Sequence, residues 1–158
     1  MKLVISILSL VFAIIVANGC NSHTPINNNE TSALTKYSKV KIDLFFKAIK
    51  NGNYRSGLSE LLSSNVDINL KDSTTVNLSN KFNLINELSG KFVSDRLLRK
   101  KEIGQDLGVY VYFVRYDKSF YRFTFTFYNN GREIKIFRIS FDDNINSEVE
   151  ESLRLYAN

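Results

Sequence analysis

Cysteine and histidine, the residue types behind much nucleophilic and zinc chemistry, occur once each in this chain, at Cys20 and His23. Both precede the first segment with the periodicity of a folded element. Ser–His and Cys–His catalysis need an imidazole base, and the usual zinc sites need His or Cys ligands. The later sequence therefore argues against these chemistries. It also has no P-loop motif for phosphate binding. We predict no catalytic residue, no metal site and no cofactor.

Carboxylates and tyrosines are the remaining groups that could move protons. The candidates are Tyr110, Tyr112, Tyr116 and Tyr121 with Asp95, Glu102 or Asp117. A carboxyl base also needs surroundings that tune its pKa, and tyrosines at strand spacing are more often packing residues. Asp142–Asn144 carries oxygen ligands but lacks the spacing of a dedicated calcium loop.

A basic cluster is formed by Arg96, Arg99, Lys100 and Lys101 in a chain of net charge +5. Beside aromatic strands, such a cluster invites a nucleic-acid interpretation. The export predicted below argues against nucleic acid. An acidic partner or anionic lipid is favoured over it, and an exposed edge strand protected by charge fits best.

The first twenty residues have the form of an export signal. Lys2 is followed by an uncharged run from Leu3 to Val16, shorter than the roughly 20 residues of a membrane-spanning helix and typical of a secretory signal. The run ends in Ala-Asn-Gly-Cys, and Gly19-Cys20 resembles the lipobox of bacterial lipoproteins. The resemblance implies that Cys20 carries a diacylglycerol and that the chain is cut before it. Ala17 and Asn18 depart from the usual lipobox residues.

These features predict three segments: a signal peptide at 1–19, a lipidated cysteine and flexible tether at 20–36, and a domain at 37–158. The tether is inferred because Asn21 to Ala33 is mostly polar and cannot bury enough surface to offset its ordering entropy. The predicted location is the cell envelope. If the cell has two membranes, we predict the outer membrane facing the periplasm. An aspartate directly after the lipidated cysteine tends to retain lipoproteins in the inner membrane, and this chain has Asn21 there.

Helical periodicity dominates the first part of the predicted domain. The first helix is expected to bury the stripe Tyr37, Val40, Lys41, Leu44, Phe45, Ala48 and Ile49. Gly52 is expected to end it and Asn53 to cap a second helix. A short strand is possible at Ser64 to Leu70. A third helix after Ser79 is expected to bury Phe82, Ile85 and Leu88 and to end at Gly90.

Alternation of period two then predicts a sheet. Strands are expected over 92–104, Val109–Tyr116, Tyr121–Tyr128 and Glu133–Asp142. Asn130-Gly131 indicates a hairpin with a type I′ turn. The apolar phase slips by one between Ile136 and Phe137, which predicts a β-bulge. A capping box at Ser147–Glu150 predicts a C-terminal helix.

Helices followed by a long antiparallel sheet make an α+β fold. The α-hairpin around Asn51-Gly52-Asn53, the entry at Gly90–Phe92 and the aromatic hairpin resemble the NTF2-like, or cystatin-like, superfamily. That resemblance implies a curved antiparallel sheet wrapped around a helix as a cone. It also implies a ligand pocket and frequent dimerisation through the sheet. We place the pocket at Phe45, Tyr112, Tyr116, Phe123 and Phe125.

The sequence therefore predicts a membrane-anchored exported lipoprotein whose domain binds a partner protein or an apolar ligand without catalysis. A homodimer through the sheet is possible, and no nucleic acid is expected. Three alternatives stay open: a cone-pocket isomerase or dehydratase using Asp and Tyr, a subunit of an envelope secretion assembly, and an immunity-type inhibitor.

Overall fold

Three helices and then four strands follow one another in the part of the chain that the computed structural model describes, residues 32–146. The helices are α1 (Ala33–Lys50), α2 (Tyr54–Leu62) and α3 (Ser73–Ser89). The strands are β1 (Phe92–Ile103), β2 (Leu107–Tyr116), β3 (Phe120–Asn129) and β4 (Ile134–Asp142). They form one open antiparallel sheet in the order β1-β2-β3-β4. The predicted α+β class is confirmed.

Helix α1 begins earlier than predicted. Ser32 is its N-cap, and the Ser32 hydroxyl accepts a hydrogen bond from the Thr35 amide at 3.0 Å, which satisfies one of the free amides of the first turn. Residues 33–36, assigned to the tether from their polarity, therefore belong to the helix. Leu34 is buried in the core, and this burial favours order in the segment.

The C-terminus of α1 follows the prediction. Gly52 has a φ of 74°, its amide donates to the Ile49 carbonyl at 2.9 Å, and the Asn53 amide donates to the Ala48 carbonyl at 2.9 Å. This pair of bonds is the Schellman arrangement, which needs a residue of positive φ after the last helical turn. Asn53 precedes α2 as predicted, but its side chain makes no capping bond.

The buried face of α1 is rotated from the predicted stripe. Phe45 and Ile49 are buried as expected, whereas Val40 and Leu44 are exposed. The buried set is Leu34, Ser38, Ile42, Phe45, Phe46 and Ile49. This helix carries apolar residues on two faces, and only contact with the sheet decides which face is covered.

Helix α3 is longer than predicted, because the Asp72 carboxylate accepts from the Thr75 amide at 2.7 Å and starts the helix there. Phe82 and Ile85 are buried and the helix ends before Gly90, as predicted. Leu88 was expected to be buried, but 66% of it is exposed.

The segment Ser64 to Leu70 is not a strand. The Asn65 side-chain oxygen accepts from the Asp67 amide at 3.0 Å, which turns the chain locally. Val66 is 82% exposed, so the short alternation in the sequence does not reflect a buried face.

The β3–β4 hairpin and its bulge are confirmed. Phe127 pairs with Ile136 and Thr126 with Arg138, so Phe137 is the extra residue. The turn differs from type I′, because Gly131 has a φ of 83° while no residue other than glycine has positive φ within residues 32–146. The Asn130 side-chain oxygen instead accepts from the amides of Arg132 and Glu133, forming a four-residue loop.

The core lies between the helices and one face of the sheet. Phe45 of α1 contacts Phe125 of β3, with ring centroids 5.5 Å apart, and Phe82 of α3 at 5.6 Å. None of the helices in the described part of the chain has the length and apolar content to span a membrane. The predicted signal peptide, the tether up to residue 31, Cys20 and the helix predicted from the Ser147–Glu150 capping box lie outside the described residues.

Candidate functional site

The five residues predicted to line a pocket all belong to the hydrophobic core, where Tyr116 contacts Phe92 and Tyr121 and the other four contact one another. Phe45, Tyr112, Tyr116, Phe123 and Phe125 are all buried. The Phe45 and Phe123 ring centroids are 6.2 Å apart, and those of Tyr112 and Phe125 are 5.9 Å apart. None of the five lines either cavity described below. These side chains are buried and in contact with neighbouring aromatic rings, as residues of a packed core are.

Burial makes two of these tyrosines poor acids. It raises the pKa of Tyr112 to about 12, because desolvation penalises the phenolate. The pKa of Tyr116 is also raised, mainly by burial and further by Tyr54 and Tyr121. The Tyr116 hydroxyl is buried and has no hydrogen-bond partner among the described residues. Both phenols are neutral at ordinary pH.

One predicted acid–tyrosine pair does come together. The Tyr110 hydroxyl donates to the Glu102 carboxylate at 3.1 Å. The Ser32 hydroxyl donates to the same carboxylate at 3.1 Å, and the Thr35 hydroxyl also donates to it. Residues from the start of α1, the end of β1 and the start of β2 therefore meet at one carboxylate.

The electrostatics of Glu102 are those of a helix anchor rather than a base. Burial opposes its ionisation, but the Thr35 hydrogen bond, the nearby Lys100 and the bonds from Ser32 and Tyr110 outweigh burial and lower the pKa of Glu102. A general base for neutral pH needs a raised pKa. A carboxylate at a helix N-terminus is favoured by the helix dipole, so Glu102 ties β1 to the beginning of α1.

The other candidate acids are dispersed. Asp117 accepts from the Lys91 amide at 3.1 Å in the turn after β2. Burial, and then the neighbouring Asp43, raise the pKa of Asp95 on β1. Asp142 forms an ion pair with Arg122 at 2.9 Å. No group of three or more metal-ligating side chains occurs within residues 32–146.

The four predicted basic residues all lie on β1, the strand at one edge of the sheet. Arg96, Arg99 and Lys101 pair with Phe113, Val111 and Val109, and Lys100 pairs with Tyr110. Since directly paired residues share a face and Tyr110 is on the helix side, Lys100 is on that side and the other three are on the opposite face. Apart from Phe92 and Glu102, every side chain of β1 is exposed.

The two edges of the sheet differ. At β4, the Asn65 side chain donates to the Ile136 carbonyl at 2.8 Å, and the Ile136 amide donates to the Ser64 hydroxyl at 3.2 Å. Lys135 also forms an ion pair with Asp67. The α2–α3 loop therefore covers the β4 edge. β1 has β2 as its only strand partner in the described region, so β1 is the edge that can accept another strand. We call the exposed side chains and outer edge of β1 the basic edge.

Two grooves beside α2 were missed by sequence reasoning. One, of about 680 Å³, is lined mainly by polar residues of α2 and the turn before it. The other, of about 510 Å³, lies between α2 and the first half of α3. The serines of α2 are the signal in the sequence, since they make one side of a short helix polar.

Comparisons of this chain with models of protein families, with curated proteins and with solved structures give no match.

Proposed function

We propose that this chain is an exported, lipid-anchored protein whose α+β domain is a non-catalytic binding module for an acidic segment of a partner protein. The observation that carries the proposal is the basic edge, a twelve-residue strand with four cationic side chains and with no strand on its outer side within residues 32–146. Edge strands recruit extended segments through main-chain hydrogen bonds, while side chains select the sequence.

Charge favours an acidic partner over a second copy of the chain. β1 carries Arg96, Arg99, Lys100 and Lys101 against two acids, Asp95 and Glu102. Two copies pairing through β1 place like charges close together, which is destabilising across strands. The register shifts at β1 after Phe92 and Leu97 also interrupt regular self-pairing. An extended acidic segment avoids the first obstacle, because its charges are opposite to those of β1.

A photo-crosslinking experiment tests this proposal. A crosslinking amino acid at Leu98, which is exposed on β1, is introduced into the full chain in its exporting cell. We expect a crosslink to one partner through an acid-rich peptide. The double variant Arg96→Glu/Lys101→Glu should abolish it, while Arg132→Glu in the β3–β4 loop should leave it intact.

Two results count against the binding module. One is a crosslink only to a second copy of the chain, and the other is a crosslink that survives the double charge reversal. Amide hydrogen exchange of the complex gives a second measure: β1 amides should slow while those of β4 stay unchanged.

The anchor is a separate part of the proposal and rests on the apolar run ending at Gly19-Cys20. Stable attachment to a membrane takes more than one acyl chain, which a diacylglyceryl cysteine supplies. Cells fed labelled palmitate should yield a labelled protein in the envelope. A Cys20→Ala variant that stays fully membrane-bound, or an unlabelled mature protein, counts against the anchor.

We further propose that the domain is a variant of the NTF2-like arrangement in which the cone is filled. Its support is the order of helices before an antiparallel meander and the aromatic side chains on the helix-facing side of the sheet. The burial of these aromatic side chains in the core favours binding at the surface over an isomerase or dehydratase in a cone pocket. A strongly curved sheet that encloses an open cavity at Phe123, observed by crystallography, argues against this variant.

A further inference from the structure

We propose that the groove between α2 and α3 binds an organic anion with an alkyl chain, a medium-chain carboxylate. This site is independent of the basic edge. Its cavity of about 510 Å³ is lined by Arg55, Leu58 and Ser59 of α2, Leu70 and Lys71 of the connecting loop, and Thr75, Val76, Ser79 and Asn80 of α3. The volume is within the range of small-molecule sites.

The apolar part of the groove suits an alkyl chain. Leu58 is buried and forms the floor, while Leu70 and Val76 are 39% and 45% exposed and form the walls. Covering such side chains contributes roughly 25 cal/mol for each Å² removed from water. An alkyl chain laid along the groove covers all three.

The charged part of the groove selects an anion. Arg55 and Lys71 both line it, and neither side chain has a hydrogen bond or ion pair with another residue of the described region. None of the described residues that line the groove is acidic. Two acids adjacent in sequence to lining residues have other partners, since Asp72 accepts from the Thr75 amide and Glu60 pairs with Lys41 at 2.8 Å.

The geometry of an arginine favours a carboxylate head group, because the planar guanidinium can donate two parallel hydrogen bonds to its two oxygens. The Ser79 hydroxyl is buried without a partner among the described residues and lines the same groove. A buried hydroxyl without a partner is costly, so a small adjustment that turns Ser79 toward a ligand oxygen is favourable. The groove therefore combines two cations, a free hydroxyl and an apolar floor.

Nuclear magnetic resonance titration of the isotope-labelled full chain with octanoate tests the site. We expect saturable amide shifts in residues 55–59, 70–71 and 75–80. Octan-1-ol tests the need for charge and acetate tests the need for the chain. Both should bind at least roughly tenfold more weakly than octanoate, a factor that corresponds to about 1.4 kcal/mol.

Variants separate the groove from general surface charge. Arg55→Gln/Lys71→Gln should weaken octanoate binding by roughly tenfold or more, whereas Arg132→Gln, which removes a positive charge from the β3–β4 loop, should not change it. Val76→Asp places a carboxylate at a half-exposed wall and should abolish binding while the thermal unfolding midpoint stays near that of the unchanged chain.

Four results overturn the proposal. They are octan-1-ol binding as tightly as octanoate, shifts centred away from the groove, no saturation, and equal weakening by Arg132→Gln. A lipid surface is tested with phosphatidylglycerol vesicles, and binding to vesicles without binding to octanoate also overturns it. A missing crosslink at β1 contradicts the binding module but not the groove, because the groove is tested by octanoate binding alone. The two proposals therefore fail separately.

Discussion

Single side chains hold the domain together at points where distant parts of the chain meet. The clearest case is Glu102, whose carboxylate takes hydroxyl donors from Ser32, Thr35 and Tyr110. Ser32 is also the N-cap of α1, so one acid orders the start of the first helix. Its role is structural because the surrounding donors stabilise the charged form.

Replacing Glu102 by Gln should lower the free energy of unfolding by about 1 kcal/mol at pH 7, because a charged acceptor with several donors is lost. The folded-state pKa of Glu102 lies below the ordinary value of 4.5. Its contribution is therefore complete above that value and is lost as the pH falls through the lower folded pKa.

Urea unfolding of both proteins between pH 3 and pH 7 measures this difference, with Glu87→Gln on α3 as the control for loss of an exposed acid. The stability gap for Glu102 should close on acidification. A gap that is constant with pH contradicts the assignment.

At the scale of elements, close packing and strand phase determine which substitutions the domain tolerates. α1 and α2 approach closely at Gly57, where an added Cβ meets the Ala48 Cβ at 2.7 Å. In β4, the bulge places neighbouring residues in opposite environments. Ile136 is fully buried, and Phe137 is 66% exposed.

Gly57→Ala should destabilise the domain by roughly 1–2 kcal/mol, because overpacking of the helix contact outweighs the better helix propensity of alanine. Thermal and urea unfolding measure the change. Ala48→Gly in the same chain removes the contact with the Ala48 Cβ but leaves the Phe45 carbonyl 3.2 Å from the added Cβ, so the double variant should recover part of the loss. Stabilisation by Gly57→Ala alone contradicts this contact.

Ile136→Ala should cost about 2–4 kcal/mol, the range for truncation of a fully buried side chain, while Phe137→Ala should stay within about 0.5 kcal/mol, as at exposed positions. The pair is its own control, since the residues are adjacent and both apolar. Urea unfolding measures both changes. If the two variants lose the same free energy of unfolding, the bulge lies elsewhere on the strand.

At the scale of the whole molecule, the two edges of the sheet differ, and the proposed binding of a partner rests on this difference. β4 is covered by Ser64 and Asn65, which contact it from more than 70 residues away. β1 has no strand beyond it within residues 32–146, and it carries cations that oppose self-pairing. The β4 edge is therefore covered by the α2–α3 loop, and the β1 edge is the one that we propose binds a partner of opposite charge.

Asn65→Ala should lower stability by roughly 2 kcal/mol, because a buried hydrogen-bonding group is lost. It should also promote association with rising protein concentration, because the β4 edge becomes available. Sedimentation equilibrium and urea unfolding measure the two effects.

Asn69→Ala is the matched control. Asn69 accepts from the Lys71 amide at 3.0 Å in the same kind of turn, but it is exposed and makes no side-chain bond to a strand. If both variants associate alike, the covering of β4 by Asn65 is not what limits association.

Local pattern predicted much of the fold. Hydrophobic periodicity and the positions of capping and turn residues, which act within a few residues, predicted most of the elements. They predicted the three helices, the four strands, the glycines that end α1 and α3, and the bulge at Phe137. The same reasoning placed the basic edge, since its four cations are neighbours in sequence. It failed at the Ser64–Leu70 strand, at the buried face of α1 and at Leu88, where short patterns fit more than one arrangement.

The sequence by itself thus determined the type and order of the elements, because helix and strand preferences are set by side chains a few residues apart. Only the tertiary structure decided that the aromatic residues pack together in the core, that Glu102 meets Thr35 across 67 residues, and that the α2–α3 loop covers β4 while β1 has no second strand partner within residues 32–146. The physical reason is that these features depend on contacts between distant segments, whose energies no local pattern contains.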